Sequence, residues 1–341
     1  MIYIIMQSRD KTFFYDMRKF HNNIKRGLYN KYTSNIESIL EIAVGRSGDL
    51  DKWISNNIKN VVGYDINTES IIEGKKRILQ RNEKKIKVEL YVKDLSKEVL
   101  CKPKKMFDIV SGQFCFHYFF KNQNTFDTMM KSINNNLKYN GYFIGTLFDG
   151  EFINNLGNFE LSDNKNNLRF KIIKGDENDT PFGNDICVYM NETILNEPTK
   201  EYIVNFNNFT KLMKSRGFEL IESVLFKDLY NSKFKMDEIS KQVSFLNRTF
   251  VFKKTLLCIE EIENVLIKCE WNSEIIEYNK KVYEKYINYL NKKISESKKS
   301  SEYKYILSSF ISDDNTTTND VSNNIKAYIL MLKLKYNNEL R

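Results

Sequence analysis

Ile39-Leu40-Glu41-Ile42-Ala43-Val44-Gly45-Arg46-Ser47-Gly48-Asp49-Leu50 decides how the rest of the chain reads. Residues 39–44 form a short, nearly continuous apolar run, the pattern of a strand buried on both faces of a parallel sheet. Gly45 and Gly48 punctuate its end, and Asp49, Leu50 and Trp53 read as a helix start. Glycines at such a junction let a ligand come close to backbone N–H groups. A second strand, Val61-Val62-Gly63-Tyr64-Asp65, ends in an acid 20 positions after Gly45. A carboxylate at that spacing reaches the ribose hydroxyls of a bound nucleoside. The plain alternative is a structural turn followed by a chance acid.

Outward from this unit, strands and helices alternate. Residues 12–30 form an amphipathic helix, with Phe13, Phe14, Met17, Phe20, Ile24 and Leu28 at helical spacing and Arg18, Lys19, Asn22, Lys25 and Arg26 opposite. A helix over 69–82, strands over 87–92 and 106–110, a helix over 126–137, a turn at Asn140-Gly141 and a strand over 142–146 follow. Asp94 and the Ser111-Gly112-Gln113-Phe114 segment lie just past strand ends, where ligand groups gather in open α/β sheets. The expected fold is a Rossmann-like, doubly wound, mainly parallel sheet. Beyond residue 150 the pattern changes to short strands over 168–173, 186–190 and 202–206. A helix over 209–217 and a late antiparallel pair, 218–226 with 248–253, then complete a domain over 1–255. Residues 256–341 read as a helical C-terminal extension. It has a long amphipathic helix over 274–295, a polar linker over 312–324 and a last helix over 325–336.

Composition narrows the function. The 341 residues are 41% hydrophobic and 13% aromatic, enough for a packed core. No apolar run is long enough to span a bilayer, and Ile2 to Met6 is too short for a signal sequence, so a soluble, intracellular protein with no membrane partner is expected. Five cysteines without a C-x-x-C pair and only two histidines, His21 and His117, argue against a metal site and a disulfide framework. Residues 256–341 hold equal numbers of basic and acidic residues, so the net +9 falls on 1–255. A basic surface there points to a polyanion such as RNA. The bland source of the same charge is a Lys-, Asn- and Ile-rich composition, as in an AT-rich genome such as that of a large DNA virus.

Several segments together resemble the cellular and viral mRNA cap guanine-N7 methyltransferases. Phe20-His21-Asn22-Asn23-Ile24-Lys25 is similar to that family's F-N-N-x-x-K, and residues 39–53 to its V-L-D-L-G-C-G-K-G-G-D-L-x-K-W. Val62 to Ile66 resembles V-G-x-D-I. Phe107 to Phe114 with His117-Tyr118 resembles F-D-x-x-S-C-Q-F-x-x-H-Y, the most specific of these segments. Asn140 to Thr146 resembles G-G-Y-F-I-G-T, and Phe182-Gly183 with Glu201-Tyr202-Ile203-Val204 resembles F-G and E-Y-L-V. Ala43, Val44, Arg46 and Ser47 depart from the glycine loop. His21 stands where Asn is usual, and Asn247 stands where the family often has a Tyr approaching the cap.

The resemblance implies a class I methyltransferase fold and transfer of the methyl of S-adenosylmethionine to N7 of the guanine of 5′-capped RNA, with a capping-enzyme subunit as a possible partner. By matched position, Asp65 holds the ribose, Asp94 the adenine amino group, and Gln113 lies beside the nucleoside. Lys25, Ala43, Gly45 and Asp49 surround the methionine part. His21, Asn22, His117, Tyr118 and Glu201 border the guanine, with Glu201 facing its N1–H and N2 donors. No catalytic acid, base or metal is implied. The alternatives are a solvated helix lysine at Lys25, a helix-start acid at Asp49, a surface acid at Glu201, a core histidine at His117 and a core aromatic at Tyr118. At the level of the whole chain, the alternatives are an inactive subunit that binds RNA or a partner, and a nicotinamide-dependent dehydrogenase using Ala43-x-Gly45-x-x-Gly48 as a dinucleotide loop.

Overall fold

The sheet grows from Ser38–Ile42, a strand buried at all five positions. The computed structural model describes residues 12–255 apart from 35, 102, 176 and 192–196. Contacts divide the chain into two units, Met1–Lys214 with Phe218–Lys254, and Ser215–Gly217 with Thr255–Arg341. The fold and site below belong to the first. The helices expected over 274–295 and 325–336, the linker between them, Cys258 and Cys269 lie outside the described residues.

In chain order the first half runs α1 (Tyr15–Tyr32), β1 (Ser38–Ile42), α2 (Leu50–Ser55), β2 (Asn60–Asp65), α3 (Thr68–Arg81), β3 (Lys87–Val92), β4 (Phe107–Gln113), a 3-10 helix (Phe116–Lys121), α4 (Gln123–Asn136) and β5 (Leu137–Phe148). The second half runs α5 (Gly150–Leu156), β6 (Phe159–Ser162), β7 (Leu168–Lys174), β8 (Asp185–Met190), β9 (Thr199–Tyr202), α6 (Phe206–Lys214), β10 (Phe218–Glu222), α7 (Phe226–Leu229), α8 (Glu238–Ser244) and β11 (Asn247–Lys254). The large sheet has the order β10-β11-β5-β4-β1-β2-β3. Its strands β1 to β5 are parallel, and β11 runs antiparallel between β5 and β10. The chain steps outward from β1 to β3, then returns to β4 on the other side of β1. Ligands in open α/β sheets bind beside such a reversal, at the carboxyl ends of the strands.

Successive β1 side chains face opposite sides. Leu40 and Ile42 join Val110, Phe143, Phe250 and the α4 residues Phe126 and Met130. Ile39 joins Ile109 and Ile144, Leu28 and Tyr29 of α1, Trp53 of α2 and Ile71 of α3. Strands β6 to β9 form a separate four-stranded antiparallel sheet. Its Phe170, Ile172, Ile186 and Val188 pack with Phe14, just before α1, with Met17, Phe20 and Ile24 of α1, and with Phe226, Met236 and Val243. Helix α1 therefore serves both cores. Its first half lies on the small sheet and its second half on the large one, which suspends His21, Asn22 and Lys25 between them.

Several boundaries differ from expectation for local reasons. The first strand ends at Ile42, because Ala43 takes a φ of +52°. The fourth strand continues through Gln113, since Ser111, Gly112 and Gln113 pair with Ile144, Gly145 and Thr146. The expected Asn140-Gly141 turn is a bulge within one long strand. Phe107 pairs with Leu137 and Ile109 with Tyr142, and Asn140 adopts a φ of +61°. The strand expected over 202–206 is β9, ending at Tyr202, and Phe206 already begins α6. Phe226 belongs to α7 rather than to the strand expected over 218–226. The small sheet as a unit, with β6, α5 and α8, was not expected.

Asp149 ties the two halves together. It is buried, caps α5 by accepting from the Glu151 and Phe152 N–H groups at 2.9 and 3.1 Å, and accepts from Arg248 Nε at 2.6 Å. The Arg248 guanidinium lies 3.9 Å from the centre of the Phe206 ring. Removing one partner of a buried, capping ion pair costs several kcal/mol. Asp149→Ala is expected to lose about 3 kcal/mol, read from urea midpoints. A loss below about 1 kcal/mol would contradict this account of the pair.

Candidate active site

The loop from β1 to α2 alternates in handedness, with φ of +52° at Ala43, +53° at Gly45 and +55° at Ser47. A left-handed conformation costs a residue other than glycine about 1 kcal/mol, so Ala43 and Ser47 keep the loop's course at the expense of strain. A Cβ added at Gly45 or Gly48 would meet nothing within 4 Å, so the backbone there borders open space. Ser47 is buried, and its Oγ stands 2.8 Å from where a Cβ of Gly74 would be. The serine therefore fits because α3 is bare at Gly74.

Asp65, at the end of β2, accepts from the Gly45 N–H at 2.7 Å and the Asn67 N–H at 2.9 Å, one on each oxygen. It thereby holds the glycine loop in place and keeps further lone pairs for hydroxyl donors. Asp94 follows β3 and accepts from the Ser96 N–H and hydroxyl at 3.0 and 2.6 Å, with Lys97 Nζ at 3.1 Å. Burial alone would raise its carboxyl, but Ser96 and Lys97 outweigh it and hold it below the usual range. Gln113 closes β4. Its Nε2 donates to Ser111 Oγ at 3.1 Å and its Oε1 accepts from Thr146 Oγ1 at 3.2 Å.

Asp49 makes no capping bond at the start of α2. Its Oδ1 lies 2.7 Å from both Lys25 Nζ and Lys52 Nζ, and Lys52 also donates to Asn22 Oδ1 at 2.9 Å. Burial opposes ionisation of Asp49, yet the two ammonium groups hold its carboxyl below the usual range. Lys25 is therefore not a solvated helix lysine, and Asp49, though it stands at the helix start, is held by two ammonium groups rather than by a cap.

A cleft of about 630 Å³ connects this cluster to the small sheet. Lys25, Gly48 and Arg77 line it, together with His117, Glu201 and Asn247 and with His21, Asn22, Arg18 and Phe114. His117 and Glu201 are buried at 6% and 9% exposure, with Nε2 3.4 Å from Oε2. Both ring nitrogens of His117 and Oε2 of Glu201 lack a hydrogen-bond partner among the described residues. Burial holds the imidazole below its usual pKa although Glu201 works against it. Glu201 is thus not a surface acid, and His117 is a buried histidine on the wall of a cleft. Tyr118 is 43% exposed, its ring tilted against His117 with centres 4.1 Å apart, and is not part of the cleft lining. It is not a core aromatic. Asp65, Asp94 and Gln113 stand on neighbouring strand ends outside that lining.

His21 stacks on Phe114, centres 5.2 Å apart, and its Nε2 meets Ser244 Oγ at 2.9 Å. Asn247 Nδ2 donates to the Val243 and Ser244 carbonyls and so secures α8. Burial, then the Lys25 and Arg18 charges, lowers the His21 pKa to about 3. An unfolded histidine takes its proton near 6.5, so between these values the unfolded chain binds more protons and stability falls as pH drops. The slope is at most about 1.4 kcal/mol per pH unit. His21→Asn is expected to flatten urea-unfolding stability between pH 6.5 and 4.5. An unchanged slope would show that His21 does not carry it.

Four residues escaped the sequence reading. Glu41 is a charged position inside an apolar run, a pattern visible beforehand, whereas Lys52 follows Asp51 and has no such local mark. Phe114 is held at a φ of +54°, where a bulky side chain is rare. Arg77 reaches the cleft from α3, and nothing local marks it. Among the described residues no group of three or more His, Cys, Asp or Glu is placed to hold a metal, and no helix is long and apolar enough to cross a membrane. Cys101, Cys115 and Cys187 are free thiols.

A parallel sheet reversing between β1 and β4, an antiparallel strand slotted beyond β5, a glycine loop and strand-end acids define the Rossmann-like fold of S-adenosylmethionine-dependent methyltransferases. A Listeria monocytogenes structure described as such a methyltransferase shares this fold with a TM-score of 0.50, at 14% identity, over 70% of this chain and 98% of that one. The model of the mRNA (guanine-N(7))-methyltransferase domain matches residues 3–310, and the chain belongs to that family. The Saccharomyces cerevisiae mRNA cap guanine-N(7) methyltransferase is 32% identical over 246 residues, 67% of this chain and 55% of its own length. The Eremothecium gossypii protein of the same name is 31% identical over 223 residues, 60% of this chain and 51% of its own length. The chain thus spans about half the length of these relatives. Membership sets aside the nicotinamide reading. The methyl donor that fold and family imply is S-adenosylmethionine. The open backbone at Gly45 and Gly48, the Asp65 carboxylate and the Lys25–Asp49–Lys52 cluster fit such a cationic nucleoside.

Proposed function

We propose that this chain transfers the methyl of S-adenosylmethionine to N7 of the 5′ guanine of capped RNA. The observation that carries the proposal is the buried His117–Glu201 pair. Both His117 ring nitrogens and Glu201 Oε2 make no hydrogen bond among the described residues, and the pair lines the same cleft as Lys25 and Gly48. Buried polar groups without partners are rare, and in a cleft they point to a ligand that supplies them. Guanine presents N1–H and N2 donors that suit the Glu201 carboxylate.

The cofactor, when bound, supplies an electrophilic sulfonium methyl. Guanine N7 has a lone pair and no proton, so no general base is needed. The N7–carbon bond forms as the sulfur–carbon bond breaks, and the positive charge passes from sulfur to the guanine. The chain's contribution is orientation and field. Asp65, Asp94 and Gln113 hold the nucleoside, and Lys25, Ala43, Gly45 and Asp49 surround the methionine part. His21, Asn22 and His117 border the guanine, with Tyr118 next to His117 just outside the cleft lining, and Glu201 offsets the charge that methylation creates. Residues 1–255 carry the reaction, with 256–341 as an extension. The protein works where caps are made, in the nucleus or cytoplasm, beside a capping enzyme that supplies the substrate.

Titration with the dinucleotides GpppA and ApppA tests the guanine reading. GpppA is expected to bind at least about 100-fold more tightly, because adenine leaves the buried acceptor unpaired. Equal affinities would contradict it.

A further inference from the structure

Glu41 is the polar exception in the core beneath the glycine loop. It is 2% exposed on the central strand, and its Oε1 accepts from Trp53 Nε1 at 3.1 Å and from the Tyr29 hydroxyl. Ser111 Oγ lies 2.9 Å from the Tyr29 oxygen. Since Tyr29 gives its proton to Glu41, Ser111 donates to Tyr29. Ser111 then keeps a lone pair for Gln113 Nε2, 3.1 Å away, while Thr146 Oγ1 bonds the other end of the Gln113 amide at 3.2 Å. The donors run in one direction, from Gln113 through Ser111 and Tyr29 to Glu41, and bonds arranged head to tail strengthen one another.

Tyr29, Glu41, Ser111 and Trp53 are all buried, and of this linked set only Gln113, at the carboxyl end of β4, is partly exposed. Apolar residues of similar shape would fill this core at lower desolvation cost, and their neighbours Ile39, Leu40, Ile42, Ile109 and Val110 are apolar. A core that breaks its own pattern does so most often next to a functional site. Burial, with Asp49 nearby, pushes the Glu41 carboxyl up to about 8, and burial raises Tyr29 well above its usual value. Tyr29 thus stays the donor at neutral pH, and Glu41, charged or neutral, keeps an oxygen to accept.

We propose that Tyr29, Glu41 and Ser111 are positioning residues that fix the side-chain amide of Gln113 against the nucleoside cofactor. The inference rests on the cofactor reading above and adds what holds Gln113 in place. It also joins the cofactor edge to α1, the helix that carries His21, Asn22 and Lys25 into the cleft.

A double-mutant cycle on S-adenosylhomocysteine binding by the full chain tests it, with thermal unfolding as the control for folding. Tyr29→Phe keeps the ring and is expected to weaken binding about fivefold, the effect of one hydrogen bond. In a Gln113→Ala background the same change is expected to do nothing, because its route to the ligand is gone. Glu41→Gln keeps the acceptor and should stay within about twofold of wild type. If Tyr29→Phe does not fold, Ser111→Ala interrupts the same chain and carries the same expectations. Unchanged binding in Tyr29→Phe, or an equal loss in both backgrounds, would overturn the inference alone. A wild-type chain that does not bind S-adenosylhomocysteine would overturn the cofactor reading and this inference with it.

Discussion

Glu201→Gln is expected to lower kcat/KM for capped RNA by about a thousandfold while leaving S-adenosylhomocysteine affinity within about twofold of wild type. The two effects separate because of place. Glu201 stands on β9 of the small sheet, whereas Lys25 and Gly48 come from α1 and the glycine loop of the large one. The glutamine keeps the shape but presents one acceptor and a donor where the guanine edge requires acceptors. It also removes the negative charge that offsets the cation formed at N7. The same substitution is expected to raise stability by about 1 kcal/mol, since a buried acceptor that lacks a partner in the free protein costs about that much. A gain in thermal midpoint with a loss of activity is the signature of a group held for function. Loss of both, or loss of cofactor-product affinity, would place Glu201 in the scaffold instead.

Asp65→Ala is the complementary case. Its carboxylate is the expected partner of the ribose hydroxyls, and it also receives the Gly45 and Asn67 N–H groups. Loss of charge-assisted bonds at about 1.5–3 kcal/mol each predicts at least a hundredfold weaker S-adenosylhomocysteine binding. The backbone bonds add a structural cost of about 1–2 kcal/mol in unfolding free energy. Because the glycine loop is the element released, thermal unfolding and ligand titration should both change, unlike in Glu201→Gln. Intact affinity in Asp65→Ala would show that the loop, not the acid, recognises the cofactor.

The parallel half of the fold was legible because its signals are local. Ile39 to Ile42 and Val61 to Val62 are apolar runs that only a doubly covered strand buries, and Gly45 and Gly48 sit where the chain must turn. The handedness of the loop was not legible, since Ala43 and Ser47 take left-handed conformations that their residue types disfavour. The small sheet was harder still. Its strands are short and partly exposed, and they bury their apolar face against α8 and against α1, which lies more than a hundred positions away in sequence. Among the site residues, Asp65, Asp94 and Gln113 follow from strand-end logic. Glu201 and His117 meet only because β9 packs beside the 3-10 helix, and Asn247 reaches the cleft through the antiparallel pairing of β11 with β5. Glu41 was visible as a charge inside an apolar run, but its meaning depends on Tyr29 and Ser111, which approach it from α1 and β4.

The most direct test of the central claim is transfer of a labelled methyl from S-adenosylmethionine to RNA of one sequence, bearing either a 5′ guanosine cap or a 5′ triphosphate, with nuclease release and identification of the labelled nucleoside. The account predicts label on capped RNA alone, recovered as N7-methylguanosine from the cap. No transfer to capped RNA, or label on an internal base or a ribose hydroxyl, would contradict it.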